Sequence, residues 1–384
     1  MSPRSVYFAT CAPGIEPLLH GEARALKLAK IERQVGGVRF EGSLEDAWRA
    51  NLWLRTAVRV LHRLTRFPAS DGEALFEGAS SVDWTRYLRS DGTLWIDAQT
   101  KESALDHSHY VEQRVKDAIV DQLRQPDGTR PEISREDPDL RVHVHLWRDR
   151  VTLSLDSSGE SLHKRGWRQK QGRAPLAETL AAAMLLHSGW DGRSPLLDPF
   201  CGSGTLLVEA ASLAAGRAPG LTRRRFGFES WPGHDERAFR AFVEKARSAE
   251  RPLKKLTLWG ADIDPERVSE ARENAASAGF EDRIQLEVAD AKQFAPRRGW
   301  NGFVVTNPPY GERVGDPAQL TTLYASFGRA LREHCAGYRY AILSGNARWL
   351  EPLALKASES LALTNGSIEC ELLTGEIAQV ETSA

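Results

Sequence analysis

The chain has 384 residues, more than one compact core usually holds, so two or more domains are expected. A hydrophobic fraction of 41% and a charged fraction of 27% are ordinary for a globular protein. No apolar run approaches the roughly 20 residues of a membrane helix, and the first residues lack the apolar core of a signal peptide. The cysteines are scattered without a C-x-x-C pair, which predicts reduced thiols in the cytoplasm and argues against structural zinc.

The net charge of −1 hides a basic amino-terminal region. Residues 1–70 hold 11 Lys and Arg against 6 Asp and Glu. This surplus suits either a polyanion partner or a solvated helical face.

The first 42 residues predict a strand ("SVYFAT"), a helix ("IEPLLHGEARALKL") and a hairpin ("IERQVGGVRFEG") whose turn is Gly36-Gly37. The stretch "SLEDAWRANLWLRTAVRVLHRL" then predicts one helix. Ser43 is its expected N-cap, with Asp46 in the place of the usual capping-box glutamate. Four arginines are expected to be the cationic residues of this helix: Arg49, Arg55, Arg59 and Arg63.

Residues 74–156 predict a strand, a helix ("YVEQRVKDAIVDQLR") and a hairpin ("DLRVHVHLWRDRVTLSLDSS"). His143 and His145 alternate on that hairpin. They could bind a metal, but an exposed strand face is favoured because no third ligand is in view. The following segment, 159–173, is interpreted as a linker. Its cations surround Trp167, which suits phosphates and a stacked base, although a solvated linker is the alternative.

From residue 175 the pattern changes to repeated strand–loop–helix units, which predict a doubly wound, mostly parallel sheet. Ligands bind such sheets outside the carboxyl ends of the strands. Asp262 follows Gly204 by 58 positions, so residues 217–255 are interpreted as an insertion. This insertion contains a second basic and aromatic cluster, "RRRFGFESW".

The stretch "LLDPFCGSG" places Asp198 at a strand end and Gly202 and Gly204 in the loop before a helix. Leu207 replaces the third glycine of a dinucleotide loop, and no Gly-Lys-Ser/Thr of a phosphate loop is present. A strand-end acid would repel phosphate. It suits a ligand with an ammonium group, such as the methionine end of S-adenosylmethionine, whereas the alternative is a plain tight turn.

Two further strands end in acids. Asp262 of "GADID" could accept both hydroxyl groups of a ribose, while Asp264 is expected to cap the next helix ahead of Pro265. Asp290 of "VADAKQF" could accept a hydrogen bond from an adenine amine. Three strand-end acids in order predict one shared cleft.

The motif "TNPPY" at 306–310 follows the apolar run Phe303-Val304-Val305. The Asn307 side-chain oxygen and the Pro308 carbonyl could accept the two N–H bonds of a poorly nucleophilic exocyclic amine. The double proline would hold that carbonyl rigidly, and Tyr310 would stack on a flat substrate. No strong general base is required. A rigid strand terminus is the alternative.

Together, "DPFCGSG", "GADID", "NPPYGER", "LHKRGWR" and "APLAETLAAA" resemble the THUMP-domain class I RNA methyltransferases. The closest resemblance is to the bacterial enzymes that methylate guanine N2 in large-subunit (23S) ribosomal RNA. It implies an α/β fold: a Rossmann-like class I methyltransferase domain preceded by ferredoxin-like and THUMP α+β domains. The implied limits are 1–42 (ferredoxin-like), 43–157 (THUMP), 158–174 (basic linker) and 175–384 (methyltransferase).

The resemblance also implies the roles of individual residues. S-adenosylmethionine would be bound by Pro175, Glu178, Asp198, Pro199, Cys201, Gly202, Gly204, Asp262 and Asp290. The catalytic motif would be Asn307, Pro308, Pro309 and Tyr310. RNA would be bound by Lys116, Lys164, Arg165, Trp167 and Arg168. No metal or membrane is expected, and the oligomeric state is not predicted.

The implied reaction is methyl transfer to guanine N2 in ribosomal RNA, with the target base flipped out of its stack. The choice of guanine N2 over adenine N6 rests on the resemblance alone. Some members continue into a second methyltransferase domain, and because this sequence ends after a seventh predicted strand, only the guanine-N2 activity is expected. Alternatives are a transfer RNA guanine-N2 methyltransferase, a protein glutamine N-methyltransferase and a non-catalytic RNA-binding assembly factor.

Overall fold

The computed structural model describes residues 5–168, 176–253, 255–297, 300–310 and 317–378. The chain forms two compact units. The first consists of the described parts of Met1–Cys11, His20–Leu162 and Arg223–Glu244. The second consists of the described parts of Ala12–Leu19, His163–Thr222 and Lys245–Ala384. Within the described residues, no helix has the length and apolar character needed to cross a membrane.

The first unit is built on a mixed sheet with the strand order β2-β3-β1-β4-β8-β7-β5-β6. Its strands are β1 (Ser5–Thr10), β2 (Ala29–Gln34), β3 (Gly37–Gly42), β4 (Arg59–Pro68), β5 (Thr93–Lys101), β6 (Glu132–Ile133), β7 (Leu140–Trp147) and β8 (Arg150–Asp156). Strand β4 pairs with β1 on one side and with β8 on the other, and so joins two halves of the sheet. Alternate residues of β7 are buried, and His143 and His145 lie on its opposite face as predicted.

The helices are, in chain order, α1 (Glu16–Ala25), α2 (Leu44–Trp53), α3 (Gly72–Ser80), α4 (Ser108–Leu123), α5 (Glu178–His187), α6 (Thr205–Ala214), α7 (Glu236–Ser248), α8 (Pro265–Ser277) and α9 (Pro317–His334). The Ser43 side chain caps α2 by accepting the Asp46 N–H, and the Asp46 carboxylate accepts the Ser43 N–H at 2.9 Å. The predicted capping box is confirmed.

The prediction of one continuous helix from Ser43 to Leu64 is wrong. Helix α2 ends at Trp53, and Arg59–Pro68 form strand β4. The apolar spacing of this stretch is compatible with a helix, but pairing with two neighbouring strands overrides local helix propensity. Arg59 and Arg63 are therefore strand residues, which changes the surface that they form.

The second unit contains the predicted parallel sheet, with the strand order β11-β10-β9-β12-β13-β15-β14. Its strands are β9 (Leu196–Asp198), β10 (Leu258–Asp262), β11 (Ile284–Val288), β12 (Phe303–Thr306), β13 (Arg339–Ser344), β14 (Glu359–Asn365) and β15 (Ile368–Glu376). Strands β9 to β13 pair in parallel, whereas β15 runs antiparallel to β13 and β14. Strand β14 was not predicted from the sequence.

The middle of the predicted insertion belongs to the first unit, since residues 223–244 cluster with it. Trp48 of α2 packs against three phenylalanine rings of this segment, with centroid distances of 5.2 Å to Phe239 and 6.1 Å to Phe228 and Phe242. Arg225 forms an ion pair of 2.7 Å with Asp137. The aromatic residues of this segment therefore complete the core of the first unit.

Candidate active site

The carboxyl ends of three neighbouring parallel strands form the centre of the site. In the sheet order β10-β9-β12, these strands end at Asp262, Asp198 and Thr306. Asp290 follows β11, the next strand outward. Parallel pairing therefore brings to one edge of the sheet residues that lie up to 108 positions apart in the sequence.

Asp198 is the most deeply buried acid of the site. Its side chain accepts a hydrogen bond of 2.6 Å from the Thr306 hydroxyl and one of 3.3 Å from the Phe200 N–H. Burial raises the pKa of Asp198 to about 7, the two hydrogen bonds oppose this rise, and the nearby Asp262 carboxylate adds to it. A buried carboxyl with so high a pKa lacks a compensating cation. Thr306, which holds it, was not predicted as a site residue.

The glycine loop after β9 leaves room for a ligand. Gly202 has φ +51°, and a Cβ added there would meet no atom within 4 Å. Gly204 has φ +77°, and an added Cβ would approach the Ala271 side chain to 3.0 Å. The Gly202 N–H donates to Oδ2 of Asp262 at 3.0 Å, which ties the loop to the next strand. Gly202 therefore leaves open space, and Gly204 allows close packing against α8.

The Asp262 carboxylate is held by backbone donors on both oxygens. Besides the Gly202 contact, its Oδ1 accepts the Asp264 N–H at 3.0 Å. Asp264 in turn caps α8 through the Glu266 N–H, with Pro265 at the helix start, as predicted. Cys201 is buried, and burial together with the two nearby aspartates raises the pKa of its thiol. This thiol is thus neutral and is suited to packing rather than to nucleophilic attack.

A cavity of about 570 Å³ opens beside the ends of β9, β10 and β11. Asp290 and Pro199 line it, and its walls include three large aromatic side chains: Trp259, Phe294 and Trp300. The Asp290 carboxylate accepts the Lys292 N–H at 2.9 Å. Sequence reasoning missed the aromatic walls, because these rings come from separate segments and only the fold brings them together.

The Asn307–Tyr310 motif follows β12 directly. The side-chain oxygen of Asn307 is shielded from solvent and has no hydrogen-bond partner within the described part of the chain. The Pro309 carbonyl accepts the Tyr324 hydroxyl at 3.2 Å. The Tyr310 hydroxyl accepts the Asn365 amide at 3.0 Å, and burial raises its pKa. An added Cβ on Gly345 would lie 2.3 Å from the Tyr310 ring, so this ring is fixed by close packing.

Two of the residues predicted to bind RNA, Arg165 and Trp167, are buried, and the third, Arg168, is partly buried, so their contact with RNA stays a prediction that the burial disfavours. Arg165 is only 2% exposed and forms an ion pair of 3.2 Å with the equally buried Glu209. Trp167 is 5% exposed. Arg168 donates hydrogen bonds to Glu178, Leu176 and Thr205. Within the described part of this segment, Arg165 and Trp167 therefore belong to the protein interior, whereas Lys164 and Gly166 are exposed.

Arg168 joins the start of α5 to the glycine loop. Its guanidinium donates to Glu178 at 3.0 Å, to the Thr205 hydroxyl at 2.8 Å and to the Leu176 carbonyl at 3.1 Å. Glu178, predicted to flank the cofactor, is buried, and burial raises its pKa while Arg168 lowers it. Pro175 lies outside the described residues.

Lys116 and Lys164 are the two lysines that the sequence predicts to bind RNA. Lys116 on α4 forms an ion pair of 2.9 Å with Asp117, and Lys164 is exposed. Their contact with RNA stays a prediction. The described residues contain no cluster of three His, Cys, Asp or Glu side chains that could hold a metal ion. His143, one of the two alternating histidines of the hairpin, faces Asp156 at 3.5 Å.

The strand order, the strand-end acids, the glycine loop and the Asn-Pro-Pro-Tyr motif define a Rossmann-like class I methyltransferase domain. Residues 165–374 match the family described as the RMKL-like methyltransferase domain, and the chain belongs to this family. Residues 6–61 match the RlmL ferredoxin-like domain and residues 69–156 the THUMP domain. The fold class predicted from the sequence is therefore confirmed, whereas the exact domain limits stay predictions.

Proteins named ribosomal RNA large subunit methyltransferase K/L are similar over almost the whole chain. The one from Syntrophotalea carbinolica is 42% identical over 97% of this chain and 54% of its own length. The one from Pseudomonas paraeruginosa is 43% identical over 95% of this chain and 52% of its own length. The chain spans about half the length of these curated relatives.

Solved structures match this chain over almost its whole length. SMU.472 complexed with SAH has a TM-score of 0.90 and 32% identity, over 99% of this chain and 100% of that one. TrmN from Thermus thermophilus has a TM-score of 0.72 and 22% identity, over 98% of this chain and 100% of its own, which shows a shared fold.

Proposed function

We propose that this chain transfers a methyl group from S-adenosylmethionine to guanine N2 in large-subunit ribosomal RNA. The observation that carries the proposal is the buried Asn307 side-chain oxygen, which has no partner among the described residues at the end of the central strand. A buried acceptor without a donor is costly, so a ligand donor is the expected partner. The names of the relatives, ribosomal RNA large subunit methyltransferases, support the choice of substrate.

The residues present fit S-adenosylmethionine. The buried Asp198 carboxyl, with a pKa of about 7, lacks a cation that the ammonium group of the cofactor would supply. The open space at Gly202 leaves room for backbone approach, and Asp262 retains lone pairs for ribose hydroxyls. Asp290 lines an aromatic cavity suited to a planar base. When bound, the cofactor supplies an electrophilic methyl group on a sulfonium. SAH bound to the similar SMU.472 structure supports this assignment.

The chain's own residues would position and polarise the amine. The Asn307 oxygen and the Pro308 carbonyl accept its two N–H bonds and favour the pyramidal nitrogen that develops during attack. The Tyr310 ring, fixed against Gly345, stacks on the flipped base. The nitrogen becomes acidic as its new bond forms, so its surplus proton passes to water without a strong base. Most of the rate enhancement then comes from holding the amine nitrogen in line for attack on the methyl group.

Asn307→Ala tests this mechanism in the full chain. We expect kcat to fall by about 10²- to 10³-fold, since one preorganised polar group is lost, while the affinity for S-adenosylmethionine changes less than about twofold. Asn301→Gly is the matched control, because Asn301 is exposed near the opposite end of β12 and has φ +43°, which glycine accepts readily. Wild-type turnover by the Asn307→Ala protein, with folding and cofactor binding intact, would refute the mechanism.

The substrate is tested by transfer of labelled methyl groups to unmodified ribosomal and transfer RNA, followed by nucleoside analysis. We expect N2-methylguanosine in the large-subunit RNA. Label in transfer RNA, or as N6-methyladenosine, would keep the enzyme class and overturn the substrate. Cofactor binding without label in any RNA would favour a protein substrate. The failure to bind S-adenosylmethionine would favour a non-catalytic RNA-binding factor. A ribosomal substrate also places the protein in the cytoplasm, and this location is part of the proposal.

A further inference from the structure

One face of the first unit's sheet carries a groove of about 830 Å³. Strands β1, β4, β8, β7 and β5 contribute most of its lining residues. The side chains that matter here are Phe8, Arg63, Arg66, His145, Trp147 and Arg150. All of them belong to the first unit. The groove is therefore distinct from the candidate active site, which lies in the second unit.

An irregularity in β4 places two of the arginines on this face. Arg63 pairs with Ser154 and Arg66 pairs with Thr152, with a register shift between Arg63 and Thr65. In a regular strand, residues three apart point to opposite faces. The extra residue of the bulge corrects this offset, so both guanidinium groups are directed toward the groove. Ser154 and Thr152 also line it.

Cross-strand pairing places further residues of β7 and β8 on the same face of the sheet. Thr152 lies opposite His145, and Arg150 lies opposite Trp147. Trp147 is 43% exposed, and the Arg148 guanidinium lies 4.6 Å from the centre of its ring. The face thus combines cations with an accessible aromatic surface, a combination that binds phosphates and unstacked bases.

Acids compensate only some of the cations near the groove. Arg59 and His143 face the buried Asp156, and Arg148 pairs with Glu102. Asp97, the acid that lines the groove itself, pairs with Arg141 at 2.9 Å.

The remaining arginines lack this compensation. In the described ranges, no carboxylate forms an ion pair with Arg66 or Arg150, both of which are exposed. Arg63 lies over the Phe8 ring at 4.3 Å.

The cationic side chains of the groove also repel one another electrostatically. Burial lowers the pKa of Arg63, Arg66 and Arg39 lower it further, and the Glu32 carboxylate opposes this shift. Burial lowers the pKa of His145, and Arg63 and Arg66 contribute to this shift. An anionic ligand would relieve the repulsion among these groups.

We propose that this groove binds the sugar–phosphate backbone of a single-stranded RNA segment, with a base stacked on Trp147. The inference rests on the proposed RNA substrate and specifies the surface that holds it. Guanidinium groups match phosphate oxygens in a bidentate manner. Ser154 and Thr152 add hydroxyl groups that can donate to phosphate oxygens. An acidic peptide would satisfy the charge but would offer no base to the exposed ring.

The test is the salt dependence of RNA binding by the full chain. An unmodified 23S ribosomal RNA transcript is titrated with the wild-type protein and with Arg66→Glu/Arg150→Glu at several potassium chloride concentrations. We expect the double variant to lower affinity on the order of tenfold near 0.1 M salt. The slope of log K against log[salt] should become shallower by about 1.4 to 1.8, as expected for two lost phosphate contacts.

The matched control is Arg89→Glu/Arg130→Glu, which changes two exposed arginines of the same unit outside the groove. It changes the net charge equally, so it should leave the slope close to that of the wild type. Arg66→Gln/Arg150→Gln provides a milder pair should charge reversal impair folding, and it should shift the slope in the same direction. Trp147→Leu should weaken binding severalfold without changing the slope, because it removes stacking and no charge.

The outcomes separate this inference from the proposed function. Wild-type affinity and slope in a folded Arg66→Gln/Arg150→Gln protein would overturn the groove, even if methyl transfer proceeds. RNA binding that depends on the groove, together with no methyl transfer by the wild type, would overturn the proposed function alone. Equal competition by poly-L-glutamate at the same charge concentration would overturn RNA as the occupant.

Discussion

The carboxyl group of Asp198 gives the site a pH dependence. Its pKa of about 7 means that part of the population is protonated near neutrality in the ligand-free protein. The ammonium group of S-adenosylmethionine is expected to bind the ionised form, so binding below pH 7 must release a proton. We expect the affinity to fall about tenfold for each pH unit below 7, to be highest between about pH 7 and 8, and to fall again above that, where the α-amino group of the ligand loses its proton. Calorimetric titration between pH 5.5 and 8.5 measures this.

Asp198→Asn is the control for that titration. The variant should bind S-adenosylmethionine more weakly, and its affinity should vary little between about pH 5.5 and 7.5, because only the titration of the ligand's α-amino group remains. The raised pKa of Asp198 also makes the stability of the ligand-free protein depend on pH. Because folding raises this pKa, its contribution to stability is fully present below the unfolded value of about 3.8 and is lost as pH rises through about 7. An affinity that is constant from pH 6 to pH 8 in the wild type would contradict the expectation.

At the scale of elements, Arg168 links α5 to the glycine loop and to the start of α6 through side-chain hydrogen bonds. Arg168→Met would leave the Glu178 carboxylate buried without its cation. We expect a loss of about 3–5 kcal/mol in the free energy of unfolding, the typical cost of breaking a buried pair from one side. Denaturant titration of the second unit's transition measures it, and a calorimetric titration should show weaker S-adenosylmethionine binding.

Adding Glu178→Gln to Arg168→Met should recover part of that stability, because it removes the uncompensated charge. The pKa of Glu178 is already raised by burial and would rise further without Arg168. The single variant should therefore lose more stability at pH 8 than at pH 5, whereas the double variant should not. Equal losses at both values of pH would show that Arg168 acts through packing alone.

The elements of the second unit were largely predictable, because strand-end acids and glycine turns leave a signal within short segments. Asp198 and Asp262 each follow an apolar run, and parallel pairing alone brings them together. Strand β4 was not predictable, since its apolar spacing also suits a helix and the partners that decide are distant in sequence. The cavity walls were missed for the same reason.

Local composition was also misleading around Trp167. Cations beside an aromatic residue are typical of nucleic-acid contacts, yet here Arg165 has a buried acid as its partner. That partner, Glu209, lies on α6, and no local pattern connects the two residues. Conversely, the basic groove depends on a strand bulge and on cross-strand register, which a single sequence does not reveal. The groove residues were therefore harder to predict from the sequence than the active-site residues at the edge of the parallel sheet.

At the scale of the whole molecule, the first unit is discontinuous in sequence. Its amino-terminal part is completed by residues 223–244, which lie within the segment that matches the methyltransferase family. Phe226, Phe228 and Phe239 of this segment are buried. An insertion that supplies core residues to another unit differs from a surface loop, because removing it would expose the apolar surface that it covers.

Trp48→Ala tests this arrangement in the full chain. Trp48 is 7% exposed and contacts Phe228, Phe239 and Phe242, so truncation leaves a cavity between α2 and the inserted segment. We expect a loss of about 3–5 kcal/mol in the free energy of unfolding of the first unit. Trp147→Ala, at an exposed tryptophan of the same unit, should cost less than about 1 kcal/mol. Because the cofactor residues belong to the second unit, S-adenosylmethionine affinity should be unchanged in both variants. A Trp48→Ala protein as stable as the Trp147→Ala protein would show that the inserted segment contributes little to the core.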